Sequence, residues 1–373
     1  MSVTEFTTEE SQVIEENKFF LRMICLPLGL IGLHFLAHPW PNDHLGVMVF
    51  WTLVTSYALF CWTSCFHETA HQTLSGSKTF SIILGRALGT AMFVPYSVYR
   101  ESHIRHHAYL NKPTDWELWP YSDPNTSVRF RRIFVWFDIV LGVFMSPAIY
   151  GRLYFHKDSP LKKNPALCRT IRNEYIGIVL FWGTVLGLVA YYGVWQKFLV
   201  VWCIPHWLAG IYQTFRKLTE HLGMQSYDPM LGTRTVVASN WFTKMSSFMN
   251  FEIFIHGPHH RHPRVSHHVL EQKMSEYLSS NPGTKYPLYG SYLRATWDML
   301  PYLFRNPGVG MNVGAPPPAK AKNDDVQNFV ADVSAEVLAE KDVIVGCTTA
   351  NVATATIPGI VSQPTENKPL MSI

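Results

Sequence analysis

The sequence predicts an all-α, polytopic membrane helical bundle: about four transmembrane helices in two hairpins, under a cytosolic helical cap. Three observations lead there. Apolar stretches of membrane-spanning length occur in two adjacent pairs. Charged residues make up 16% of the 373 residues, well below the roughly 25% of an average soluble domain. Histidine is abundant, with 17 in the chain, and nine of them fall into clusters that follow the apolar stretches. A net charge of +4 without a dense Lys/Arg stripe excludes nucleic acid as a partner.

The elements follow in order. Residues 1–18 are acidic and polar and read as an arm; without a basic n-region or an A-x-A site, no cleavable signal is expected. Residues 19–37 are apolar except for Arg22 and His34, and Pro27 and Gly29 suit a membrane helix better than a soluble one. A turn, HPWPND, covers 38–43, and 45–66 then form an uncharged apolar run, the strongest span in the chain. A second hairpin pairs 175–194 with 198–215 across the turn Trp195-Gln196-Lys197. The stretches 80–96 and 133–150 are apolar but carry Arg86 and Asp138. A mid-bilayer charge is costly, so these two are placed at the interface or packed under the cap. The unit spans 19–308. Residues 309–373, rich in Pro, Gly, Thr and Ala, read as a disordered tail with one weak amphipathic helix over 326–339.

Charge sets the expected orientation. Residues 67–174 hold fourteen Lys and Arg, the 38–44 turn none and the 195–197 turn one. The positive-inside rule places both termini and the 67–174 segment in the cytosol, with Trp40, Tyr191, Tyr192 and Trp195 in an aromatic belt opposite. The six cysteines form no CxxC pair and read as reduced and structural.

The clustered histidines are His67, His71, His103, His106, His107, His221, His256, His259 and His260. Their i,i+3 and i,i+4 spacings put each cluster on one helix face. Pro258 fits only a first helical turn, so the last cluster should open a helix. Nine imidazoles gathered on one side of a membrane would carry a large desolvation cost unless they bind metal. No suitable thiolates exist for a structural zinc site. Nine nitrogens suffice for two open-sided metals with four and five ligands, a set suited to oxygen-activating iron. Two other readings remain open at this point. HETAH matches H-E-x-x-H, the zinc metalloprotease signature with Glu as base, and a histidine-rich chain can also be a metal transporter. The other eight histidines lack such spacing and are expected at the surface, at the interface or behind the ligands. Aromatics on the spans, Trp51, Tyr57, Phe60, Trp202, Trp207 and Tyr212, are candidate walls of a chain-binding cavity, or plain packing residues.

HETAH (67–71), HIRHH (103–107), TEHLG (219–223) and HGPHHRHP (256–263), in this order and with hairpins before the first and third, resemble the membrane fatty acid desaturase and hydroxylase superfamily over roughly residues 20–300. The resemblance implies two irons held in the cap by the nine named histidines, O2 as co-substrate, and a membrane lipid or acyl chain in a tunnel beneath. The first box, with three intervening residues, resembles the acyl-lipid branch and the hydroxylases. Some relatives carry an asparagine ligand where this chain has Lys217. No HPGG motif is present, so no fused cytochrome b5 domain is expected, and a separate donor is implied: a ferredoxin, or cytochrome b5 with its reductase. The expected reaction is desaturation of an acyl chain, with hydroxylation or ketolation of a hydrocarbon or carotenoid as the alternative. Glu68, Asp115, Glu117 and Glu220 are candidates to orient ligand histidines from behind, or are ordinary salt-bridge partners. Arg105 reads as a structural or headgroup contact.

Overall fold

The computed structural model describes residues 18–37, 44–74 and 77–318. These residues are mostly helical. The main helices are α1 (Lys18–Leu36), α2 (Leu45–His71), α3 (Lys78–Ala91), α4 (Tyr96–Ala108), α5 (Val128–Phe155), α6 (Pro165–Tyr192) and α7 (Trp195–His221). Four shorter ones follow: α8 (Trp241–Met249), α9 (His256–Arg261), α10 (Leu270–Ser280) and α11 (Tyr292–Arg305). The described strands are β1 (Thr235–Val236) and β2 (Leu288–Tyr289), paired in parallel. The chain is an all-α polytopic membrane protein. The turn expected at 38–43 and the arm at 1–17 lie outside the described residues.

Helix starts follow local chemistry. Ser77, Ser127, Asn164, Asn240 and Ser291 each accept a hydrogen bond from a backbone N–H of the first turn of α3, α5, α6, α8 and α11. Pro165 follows Asn164 at the first position of α6, where its missing N–H costs nothing. Gly193, at φ +65°, closes α6 and lets the chain turn into α7.

Among the described residues, five helices are long and apolar enough to cross a membrane: α1, α2, α5, α6 and α7. The bundle core is α2 packed on α7, through Leu59, Phe60 and Ala209. Two polar side chains of α1 find partners within the bundle and cap. His34 meets the Thr55 hydroxyl at 2.8 Å across α1 and α2. Arg22 lies at the cap end of α1, bonded to Glu252 at 2.8 Å and stacked over Phe248.

The stretch α5 has the length of a span but turns back on itself. At one end Arg131 donates to the Pro307 carbonyl and the Asn306 side chain. At the other, Tyr150 reaches Glu117 and Leu153 packs with Val98 and Leu167, all cap residues. The reversal is at Gly142, φ +53°. Its charged residue, Asp138, accepts from Tyr121 and Lys217 at 2.9 and 2.8 Å. The α3–α4 pair is bent by 105°, with Phe93 at φ +60° in the bend. Both apolar stretches with a charge therefore dip under the cap and return.

Gly142 and Gly210 let this dip touch α7. A Cβ on Gly210 would lie 2.1 Å from the Val143 backbone nitrogen. A Gly210→Val change must push α5 off α7, and overpacking of this kind costs about 1–3 kcal/mol or more. The expected outcome is a lower inactivation temperature in detergent, measured beside the parent protein.

The start of the expected tail is held on the cap rather than free. Val309 N–H donates to the Tyr121 carbonyl at 3.0 Å, and the Tyr227 hydroxyl to the Pro316 carbonyl at 2.7 Å. Gly310, φ +53°, sits where a Cβ would meet the Asn111 carbonyl at 2.1 Å. Pro and Gly here serve a close strap, not a linker. The 326–339 segment lies outside the described residues.

Candidate metal centre

Four helix ends meet at one level. The last turn of α2 brings His67 and His71, and α4 brings His103, His106 and His107. The last turn of α7 brings His221, and α9 brings His256, His259 and His260. Pro258 does sit in the first turn of α9. The α4 helix is fixed to the end of α2 by the Tyr96 hydroxyl on the Thr69 carbonyl, 2.8 Å, and by Arg100 Nε on the Ala70 carbonyl, 3.0 Å. At Gly257 of α9 a Cβ would stand 2.8 Å from the Thr235 hydroxyl, so the helix needs glycine to lie this close.

All nine imidazoles converge, in two groups. One nitrogen each of His67, His71, His103, His107 and His259 lies within 4.8 Å of the others. The second group joins His106, His221 and His260 and, through His221, also His256 and Glu220. His103 Nε2 is 3.0 Å from His71 Nε2 and 3.2 Å from His107 Nε2. His256 Nε2 is 2.9 Å from His221 Nε2 and 3.1 Å from His260 Nε2.

In each of these contacts one ring, His103 or His256, has its outer nitrogen committed to an acceptor, whereas Nδ1 of His107, His221 and His260 is buried without a partner. His67 Nδ1 faces Glu68 at 3.0 Å, His103 Nδ1 faces Glu117 at 3.1 Å, and His106 Nδ1 faces Asp115 at 2.8 Å. His256 Nδ1 faces the Ile253 carbonyl at 3.2 Å. These acceptors put the proton on Nδ1 and leave an Nε2 lone pair aimed inward. An inward lone pair on His103 or His256 can take a metal cation or the N–H of a neighbouring ring. Donors held about 2.1 Å from one ion at right angles stand about 3.0 Å apart, so the separations suit adjacent ligands of a metal. His67 Nε2 and His259 Nε2 are buried with no protein partner. Burial, then neighbouring imidazoles and cations, hold His256, His259 and His260 well below the usual imidazole range, in the neutral form that ligates.

The four candidate carboxylates differ in placement. Glu68 also accepts from the Thr73 hydroxyl at 2.7 Å. Asp115 takes backbone N–H bonds from Asn111 and Leu118 besides His106. Glu117 lies behind His103, with the Tyr150 hydroxyl 3.4 Å away. Glu220 is not behind a histidine: it flanks the second group, 3.6 Å from His256 Nε2, and its Oε1 has no hydrogen-bond partner. Lys217 is bonded to Asp138. Arg105 pairs with Glu101 at 2.7 Å.

Sequence reasoning passed over Tyr99, whose ring stacks on His103 at 5.3 Å, and Arg216, buried beside the centre and bonded to Ser64. An arginine directly after the apolar run 198–215, one turn before Glu220 and His221, was the available signal. Of the other histidines, His267 is buried against Glu252 at 2.5 Å, and His206 lines a cavity below the centre. Two narrow cavities of about 80 Å³ each meet at Tyr99, Ser146, Tyr150, Gln213 and Thr214, and run from the histidines down between α2 and α7. Trp202 lines the lower one. Tyr57, Phe60 and Tyr212 instead line a separate apolar cavity of about 630 Å³ against α8 and α11. Trp51 stacks on His34, and Trp207 donates to the Val140 carbonyl, so both are packing residues.

Comparison with known proteins agrees with this geometry. The family model "Fatty acid desaturase" matches residues 43–292. A "Fatty acid desaturase" of Bacillus subtilis (strain 168) is 22% identical over 268 residues, covering 69% of this chain and 76% of that protein. The "Delta(12) fatty acid desaturase DES8.11" of Calendula officinalis is 22% identical over 277 residues, covering 69% of this chain and 71% of its own. With the matched segment running from the start of the second span through the last histidine cluster, the chain belongs to the fatty acid desaturase family.

Proposed function

We propose that the protein is an O2-dependent di-iron desaturase of the acyl-lipid type, which introduces a double bond into an acyl chain. The observation that carries this reading is the inward convergence of nine imidazoles, four of them fixed by outer acceptors. His67, His71, His103, His107 and His259 would hold one iron; His106, His221, His256 and His260 would hold the other, with Glu220 alongside. Bound there, the irons would supply the O2 activation that removing hydrogen from an unactivated methylene requires, beyond the reach of any side-chain acid or base.

The chain's own residues do the rest. Glu68, Asp115 and Glu117 keep their histidines in one tautomer and one orientation. The cavity from Tyr99 to Trp202 holds the chain under the centre and keeps water away. The electron count requires a partner: O2 takes four electrons to become two waters, and the substrate yields two. A separate ferredoxin, or cytochrome b5 with its reductase, supplies the other two. The Lys/Arg asymmetry puts the cap, the centre and both termini on the cytosolic side, where such donors reside.

The metalloprotease alternative fits poorly. Glu68 faces the back of His67 and the Thr73 hydroxyl, away from the inward lone pairs. Reconstitution with a donor, its reductase and an acyl lipid is expected to give a product lighter by two hydrogens, only when O2 is present. A product heavier by one oxygen would instead make the protein a hydroxylase, and turnover without O2 would refute both.

A further inference from the structure

The α7 helix carries a polar stripe deep into the membrane-embedded part of the bundle. His206, Gln213 and Thr214 recur at helical spacing and line one cavity below the metal centre. Thr63 from α2 and Ser146 from α5 add to its polar wall. Polar side chains inside a membrane protein are costly and mark cavities and pathways. A cavity for methylenes alone would need none of them.

His206 stands out among these. It is 5% exposed, and neither ring nitrogen has a hydrogen-bond partner. Aromatic rings surround it: Trp202 at 5.2 Å and Phe93 at 6.0 Å, with Trp182 stacked on Phe93 at 4.7 Å. It follows a π-helical turn, Leu199–Cys203, and Pro205. Such turns re-aim the residues after them and recur at functional sites. A buried imidazole without a partner is unfavourable, so the group that satisfies it comes from whatever fills the cavity.

The lining defines that group. Among the described residues no Asp, Glu, Lys or Arg lines this cavity, so none of them there would neutralise a carboxylate or a phosphate. A neutral imidazole offers one donor and one acceptor, which matches a hydroxyl; its donor alone matches a carbonyl. From His206 to His221 the helix rises about 22 Å, so the oxygen lies far along the chain from the carbon held at the centre.

We infer that the substrate is an acyl chain that already bears a hydroxyl or carbonyl oxygen on its distal part, and that His206 binds this oxygen. The inference rests on the acyl-chain reading above and adds the substrate class. The test uses full-length, iron-loaded protein in detergent and acyl esters of one length. One ester is unsubstituted; in the others a single hydroxyl is walked along the distal half. Binding is read as the ligand-induced rise in thermal midpoint, and product separately by mass spectrometry.

The wild type is expected to bind one hydroxylated ester at least about tenfold more tightly than the plain one. His206→Leu should reverse that preference. His206→Asn, which keeps a donor and an acceptor, should retain part of it, and the iron content of each variant reports its folding. Equal binding of all esters by the wild type would overturn the inference. So would equal weakening of all esters by both variants. Binding decides the matter whatever the turnover; a lack of oxidised product from every ester would instead count against the desaturase reading.

Discussion

Replacing His259 by alanine is expected to lower turnover at least about 10³-fold, the equivalent of about 4 kcal/mol of transition-state stabilisation, and to reduce iron from two towards one per chain. His259 is the sole contribution of α9 to the first group, and its Nε2 has no protein partner. Its ring lies 4.6 Å from that of His67 and 4.8 Å from that of His71, so no other side chain can take its place. The helix itself should survive, because the Gly257 N–H bond to the Thr235 hydroxyl and the contacts of Ile255 with Met230 and Leu270 do not involve the lost ring. The companion change His260→Ala should remove iron from the second group to the same extent. Metal analysis and product formation on the same samples check both. Full iron content with more than a tenth of the activity would contradict the ligand assignment.

Glu68→Gln is expected to cost about 10–100-fold in activity or metal affinity. The amide oxygen of Gln can still accept from His67 Nδ1, with the NH2 then standing where Glu68 Oε2 accepts from Thr73, so the tautomer is kept while the charge that raises ligand basicity is lost. A general base of an H-E-x-x-H protease would behave differently: its loss would abolish essentially all hydrolysis without lowering metal content. Rate and bound metal measured together separate the two.

The sequence was most legible where the pattern was local. The two hairpins, the i,i+4 histidine pairs and the opening of α9 with Pro258 in its first turn all follow from spacings of a few residues. Less legible was whatever depends on distant approach. Arg22 is tolerable in α1 only because Glu252, far along the chain, reaches it. The return of α5 depends on Gly142 meeting Gly210 of α7; apolar composition alone cannot tell such a dip from a crossing. Asp115 and Glu117 were visible as acids near a histidine cluster. Their separate partners, His106 and His103, depend on the loop after α4, which Asn111 pins to the Ser226 and Gly232 carbonyls. Glu220 has the same local context as Glu68, beside a cluster histidine, yet it flanks the second group rather than backing a ligand. His206, expected at the surface, at the interface or behind the ligands, is instead buried at a cavity in the bundle, since the face it presents depends on the π-helical turn before it.

The central claim is a two-iron centre built by nine histidines, and metal content with Mössbauer spectroscopy of the purified full-length protein tests it most directly. The expected result is close to two irons per chain in nitrogen-rich, open-sided sites, with little zinc. One tightly held zinc per chain and no iron would contradict it.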